Sequence, residues 1–186
     1  RQFGPFEITI GHSLGGMSLL NATKKGLSIN RLAIIGSGDI IQDILDDFVA
    51  KMELKPSTST QLRLHFEKKL GVEMDSYSAY KSAMEVSIPV LVIHDKNDSE
   101  VPVTAAIHIH KHLKNGELFL TEGLGHRKIL GNSEVIEKVV RFINRLWFRF
   151  FLDNDSFLNL QIDINLIDLF ANNTQKFINF SKKINT

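Results

Sequence analysis

Residues 8–20 read Ile-Thr-Ile-Gly-His-Ser-Leu-Gly-Gly-Met-Ser-Leu-Leu, and this stretch decides the fold. A short β-type run, Phe6 to Ile10, leads into it, and a helical run from about Leu14 to Lys25 leads out. Between them Gly11, Ser13 and Gly15 form a Gly-x-Ser-x-Gly turn. A sharp strand-to-helix turn of this kind lifts one serine hydroxyl above the edge of a sheet. With glycine and serine each near ~7% of residues, three matching letters arise by chance in about one chain in twenty of this size. The flanking strand and helix therefore matter more than the letters. The serine must hold a strained backbone, and bulky side chains two positions away would meet the helix or the strand, so glycines fit there. Ser13 would then sit at a helix N-terminus, where unpaired N–H groups and the helix dipole favour developing negative charge. The N–H of Leu14 would point at the same spot and donate to an oxyanion.

The same grammar repeats downstream. Gly26 can stop the first helix. Arg31–Ser37 and Ile88–His94 read as buried strands, the second with Pro89 at its entry, where a proline is tolerated. Val103–Leu113 reads as a helix and Glu117–Thr121 as a short strand. Glu134–Leu146 is amphipathic, with Val135, Ile136, Val139, Val140, Phe142 and Ile143 at helical spacing. Continuous apolar strands alternating with helices predict an α/β fold: a parallel sheet with helices on both faces. One connection, about residues 39–87, breaks the rhythm. It contains no strand signal and three helical stretches, Ile40–Leu54, Ser59–Leu70 and Ser76–Met84, with Pro56 and Gly71 as breaks. A helical insertion at the C-terminal end of a parallel strand is placed to cover a site there.

Composition narrows the function. The chain has 186 residues, 43% of them hydrophobic, enough for one packed domain. A net charge of +1 gives no electrostatic case for nucleic acid. The absence of cysteine excludes a disulfide scaffold, a thiolate zinc site and a thiol nucleophile. It also suits a reducing compartment, so a cytoplasmic location is expected. No apolar run reaches the length of a membrane span, so no integral membrane segment is expected.

A serine hydroxyl is a weak nucleophile at neutral pH and needs a base, with an acid to orient that base. Each should lie in a loop just past the C-terminal end of a strand. The strand ending at His94 runs into Asp95-Lys-Asn-Asp98-Ser-Glu-Val101-Pro102, and the strand ending at Thr121 into Glu122-Gly-Leu-Gly-His126. One helix and one strand separate Asp98 from His126, as two loops on one sheet edge require.

On Gly-His-Ser-Leu-Gly-Gly at 11–16, His-Asp-Lys-Asn-Asp-Ser-Glu-Val-Pro at 94–102 and Gly-Leu-Gly-His at 123–126, the chain resembles the α/β-hydrolase-fold proteins over about residues 1–147. The middle motif of that family usually reads His-Gly-x-x-Asp-x-x-Val-Pro. That pattern places the acid on Asp98, while Asp95 stands where the family has glycine. Asp39 follows the second strand, a position some members use for the acid. The resemblance implies a serine hydrolase for acyl ester, thioester or amide bonds, working through an acyl-enzyme. Ser13 would be the nucleophile, His126 the base, Asp98 the orienting acid and Leu14 N–H an oxyanion donor. It implies a small-molecule acyl substrate and no cofactor. The insertion at 39–87 would be the family's helical cap. A non-catalytic binding protein of the same fold, or an inactive fragment of a hydrolase gene, are the alternatives.

The family has about four strands ahead of the elbow strand, which also bring a second oxyanion donor. Their absence here leads to the expectation of a fold lacking its N-terminal strands, poorly folded or nearly inactive alone. His12 is expected to pack in the elbow. His108 and His112 share a helix face while His110 points away, so a solvated face is expected and no metal site. From Phe148 the composition shifts to Asn, Ile, Phe, Leu, Asp and Lys without glycine or proline, and residues 148–186 are expected to be a non-native or accessory tail.

Overall fold

The computed structural model describes residues 6–153, with residues 145–153 described by backbone alone. The chain divides after Ile129 into two compact units. In the first, four strands form one sheet in the order of the chain: β1 (Phe6–His12), β2 (Ile29–Ile35), β3 (Val90–Asp95) and β4 (Gly116–Thr121). All three pairings are parallel. The register sets His12 beside Ile35, Ile35 beside Ile93, and Asp95 beside Thr121. The four strands therefore end along one edge, and the loops that follow them gather there.

The sheet forms because β2 and β3 are apolar on both faces, as parallel strands covered on both sides must be. Leu32, Ile34, Val90 and Val92 pack with Met17 and Leu20 of α1 (Leu14–Lys24) in one core cluster. Ala33, Ile35, Leu91 and Ile93 alternate with them along the strands and are buried too. β1 lies at the sheet's edge, with Phe6 and Ile10 exposed.

The long connection is helical, as its periodicity predicts. It holds α2 (Ile41–Lys51), α3 (Ser57–Leu70), a 3-10 turn (Met74–Tyr77) and α4 (Ala79–Ala83). Helices α2 and α3 pack on each other, while Ala79, Ala83 and Val86 belong to the sheet's core. The third predicted helix is split at Ser78, whose backbone is extended. There the Ser78 hydroxyl accepts the Ile41 N–H and donates to Asp75, and Asp39 receives the first N–H groups of α4. These bonds reach far along the sequence, so local periodicity could not show them. Helix α5 (Val103–His112) leads from β3 towards β4, and α6 (Gly125–Lys128) follows β4.

The second unit contains α7 (Ser133–Asp153). Val135, Val139 and Phe142 form its buried stripe, at the spacing of one helix face. The helix continues past Leu146 to Asp153. The expectation of an atypical tail falls, from residue 154 on, outside the described residues.

Candidate active site

Ser13 sits between β1 and α1 with φ 53° and ψ −125°, a conformation rarely adopted by residues with a side chain. Its N–H donates to the Ile35 carbonyl at 2.9 Å, which ties the turn to β2. A Cβ on Gly11 would lie 2.7 Å from the backbone of Gly15 and Gly16, so only glycine fits there. The second glycine requirement differs from the sequence expectation. Gly15 faces open space, whereas a Cβ on Gly16 would lie 3.0 Å from Ser37 and 3.1 Å from Ile34. The first turn of α1 presents residue 16, not residue 15, to the end of β2. Leu14 opens α1, so its N–H has no partner within the helix.

The loop after β3 offers two carboxylates, and their surroundings separate them. Asp95 is fully buried and accepts the Thr121 hydroxyl at 2.7 Å, the Leu124 N–H at 3.0 Å and the Asn97 N–H at 2.9 Å. It fastens the loop after β3 to the loop after β4. Asp98 accepts the Glu100 and Val101 N–H groups on Oδ1, at 2.8 and 2.9 Å, and turns Oδ2 to His126 Nδ1 at 2.7 Å. Burial alone would raise the Asp98 pKa. The Val101 N–H, the His126 N–H and the Glu100 N–H outweigh it and bring the carboxyl below its ordinary value. Asp95 is likewise lowered: burial opposes ionisation, but the Thr121 hydroxyl and the N–H groups of Gly125, Leu124 and Asn97 prevail. Asp39, the remoter acid, bonds His108 Nδ1 and the Tyr80 N–H and lies away from His126's hydrogen bonds.

His126 is placed by α6 rather than by an open loop. Its side chain is 7% exposed, and Nε2 makes no hydrogen bond among the described residues. Because a carboxylate only accepts, Nδ1 carries the proton toward Asp98 and the neutral ring leaves Nε2 as a base. The ring and Asp98 rest on Gly36, which has φ +56°. A Cβ there would lie 3.2 Å from His126 Nδ1 and 3.6 Å from Asp98 Oδ2. His12 does more than pack: its Nε2 donates to the His126 carbonyl at 2.9 Å, with the two rings 4.6 Å apart. Burial first, then the charge of His126, lowers the His12 pKa against the pull of that carbonyl and of Asp98. Buried His94 donates Nε2–H to the Val101 carbonyl at 2.9 Å and lies 3.4 Å from Asp98 Oδ2, while its Nδ1 has no partner.

The structure thus joins His126 to Asp98 and sets Ser13, Leu14 and Asp98 around one cavity of about 910 Å³. Among the described residues, no hydrogen bond runs between Ser13 Oγ and His126. The sequence placed His12 in the elbow and His94 in the middle motif without showing these bonds, and it did not mark Gly36. Only the Ile35-Gly36-Ser37-Gly38 run after a strand hinted at a close approach. The histidines of α5 do not form a plain solvated face. His108 pairs with Asp39, and the rings of His108 and His112 pack against Tyr80. Among the described residues no group of three His, Asp or Glu side chains could hold a metal ion. No helix there is long and apolar enough to cross a membrane.

A parallel sheet in this order, with a strained serine at the turn after one strand, is the architecture of the α/β-hydrolases. The comparisons agree: residues 72–145 match the family model of TAP-like proteins. The structure is similar to a protein from Acinetobacter baumannii AYE described as a lipase, with TM-score 0.54 and 20% identity over 76% of this chain and 62% of that one. It is similar to mouse alpha/beta hydrolase domain-containing protein 10, with TM-score 0.53 and 16% identity over 80% and 65%. A third similar structure, described as a non-heme bromoperoxidase from Mycobacterium tuberculosis H37Rv, gives TM-score 0.51 and 12% identity over 73% and 65%. No curated protein matches the chain by sequence. The chain has the α/β-hydrolase fold. It spans 62–65% of the length of these three structures.

Proposed function

We propose that the chain carries the catalytic residues of a serine hydrolase acting on an acyl ester, thioester or amide. The observation that carries this reading is the His126 Nδ1–Asp98 Oδ2 bond of 2.7 Å, formed at the sheet edge where Ser13 holds φ 53°. Ser13 Oγ attacks the acyl carbonyl carbon while His126 Nε2 takes its proton. Leu14 N–H donates to the oxyanion, and Asp98 balances the imidazolium. The tetrahedral intermediate collapses, the bond to the leaving group breaks, and His126 returns the proton to that alcohol, thiol or amine. Water then attacks the acyl-Ser13 ester with the same proton shuttle, releasing the acid. The fold resemblance, the cavity beside Ser13 and the free Nε2 of His126 support the reading. A cytoplasmic location belongs to the same proposal and rests on the lack of cysteine.

A second reading, a non-catalytic binding protein or an inactive piece of a hydrolase, draws on the missing bond between Ser13 and His126. Such bonds are commonly long before substrate arrives and tighten in the complex. Treating the full chain with a fluorophosphonate and measuring its intact mass separates the readings. Covalent addition at Ser13, abolished by Ser13→Ala and slowed by His126→Gln, is expected of the hydrolase. A folded chain that stays unmodified would leave only the second reading.

A further inference from the structure

The cavity beside Ser13 has an imidazole in its wall. His108 lines it from α5 with a side chain 40% exposed. Its Nδ1 is bonded to the buried carboxylate of Asp39, whose other oxygen accepts the Tyr80 N–H at 2.8 Å. The ring lies 5.0 Å from that of Tyr80 and 4.5 Å from that of His112, and His112 Nδ1 donates to the His108 carbonyl at 2.8 Å. His108 is therefore held on several sides, while its Nε2 makes no hydrogen bond among the described residues. A side chain fixed in this way needs no reorganisation to meet a ligand.

We propose that His108 is a specificity-determining residue that receives an oxygen function of the substrate. The preferred substrate is an acyl group bearing a hydroxyl beyond the scissile carbonyl. This inference rests on the reading of Ser13 as nucleophile. The carboxylate of Asp39 accepts only, so Nδ1 must donate to it, and Nε2 of the neutral ring accepts. A hydroxyl donates to that nitrogen, and it accepts from it when the ring is charged, so it pairs with either form. A substrate carboxylate would meet Asp43, Asp47 and Glu100 in the same cavity, against Lys51 as the one lysine in its wall. Lys51 is already engaged with Asp47 at 2.7 Å. Leu14, Ile40, Ile44, Val101 and Pro102 form an apolar remainder that fits the methylene chain between the two polar ends.

The test uses the full chain and p-nitrophenyl esters of straight-chain acids, hexanoate to decanoate, with and without a terminal hydroxyl. At one chain length the hydroxylated ester is expected to be favoured about two- to tenfold in kcat/KM, mainly through KM, as one hydrogen bond allows. In His108→Phe that ratio falls to about one. His108→Asn, whose amide is too short to reach the same point, loses it as well and serves where the larger ring disturbs packing. A wild-type ratio of one at every chain length overturns the proposal, as does a ratio unchanged in these variants. Preference for a terminal amine that survives both substitutions overturns it too, because Asp43 and Asp47 would then set the selectivity. A fluorophosphonate arm separates the two levels. If folded wild-type chain is not labelled at Ser13, the nucleophile reading fails and this inference falls with it. If Ser13 is labelled but the ratios stay at one, only the role of His108 fails.

Discussion

Gly36→Ala is the sharpest perturbation of the proposed site, because it inserts one methyl group beneath the imidazole and changes nothing else. Two costs can be worked out. Alanine at φ +56° is left-handed and loses about 1–2 kcal/mol of stability for that reason alone. The new Cβ would also lie 3.2 Å from His126 Nδ1 and 3.3 Å from Cε1. Comfortable contact begins near ~3.5 Å, so the ring must move by roughly 0.3 Å or more, tilting away from Asp98. Misplacing a reacting group by about 1 Å costs on the order of 10²-fold, so a shift of roughly 0.3 Å should slow labelling of Ser13 about fourfold. Gly71→Ala supplies the comparison. Gly71 has φ +70° and nothing within 4 Å of its Cβ, so it reports backbone strain without a contact. The assay pairs urea midpoints with fluorophosphonate labelling rates for both variants. Both should lose stability, Gly36→Ala at least as much as Gly71→Ala, and only Gly36→Ala should label slowly. If Gly36→Ala loses stability as Gly71→Ala does yet labels at the wild-type rate, His126 does not sit on Gly36 in the reactive state.

The two carboxylates after β3 should separate by substitution. Asp98→Asn should slow Ser13 labelling about 10⁴-fold with modest loss of stability, since the amide no longer fixes the imidazole tautomer. Asp95→Asn should cost about 1–3 kcal/mol in urea unfolding, because its buried oxygens hold three donors at 2.7–3.0 Å. An equal labelling loss in both variants would contradict the division of roles. Stability should also depend on pH through these groups. Both are held below their ordinary value of 3.8 when folded. Each therefore contributes fully above that value and loses its contribution as pH falls through the folded pKa. Urea midpoints should fall below about pH 4, and less steeply in Asp95→Asn; an unchanged slope would refute the assignment. At the elbow, Gly15→Ala and Gly16→Ala should have opposite signs. The first places alanine in open helix and should gain up to about 1 kcal/mol, while the second crowds Ser37 and Ile34 and should lose about 1–3 kcal/mol. Equal midpoints would mean that α1 leaves the turn with a different face inward.

What the sequence could show was whatever its own neighbourhood encodes. The strands were legible because β2 and β3 are buried on both faces, which leaves uninterrupted apolar runs such as Val90–Ile93. The elbow was legible because strand, turn and helix are contiguous. The choice between Asp95 and Asp98 came only from a resemblance, since two carboxylates three residues apart present the same chemistry in a string. It is made in space by groups on β4 and beyond it. Thr121 and Leu124 engage Asp95, and α6 brings His126 to Asp98. The contacts of Gly36, His12 and His108 were hidden for the same reason: each meets a partner distant in the chain. Asp39 shows the same limit from the other side. It follows a strand, as a catalytic acid would, but Tyr80 of α4 and His108 of α5 take up its oxygens. A loop residue's role at this sheet edge is therefore set by the register that aligns the strand ends. Two carboxylates past neighbouring strands, Asp39 after β2 and Asp98 after β3, each hold an imidazole Nδ1, so their partners and not their place after a strand distinguish them.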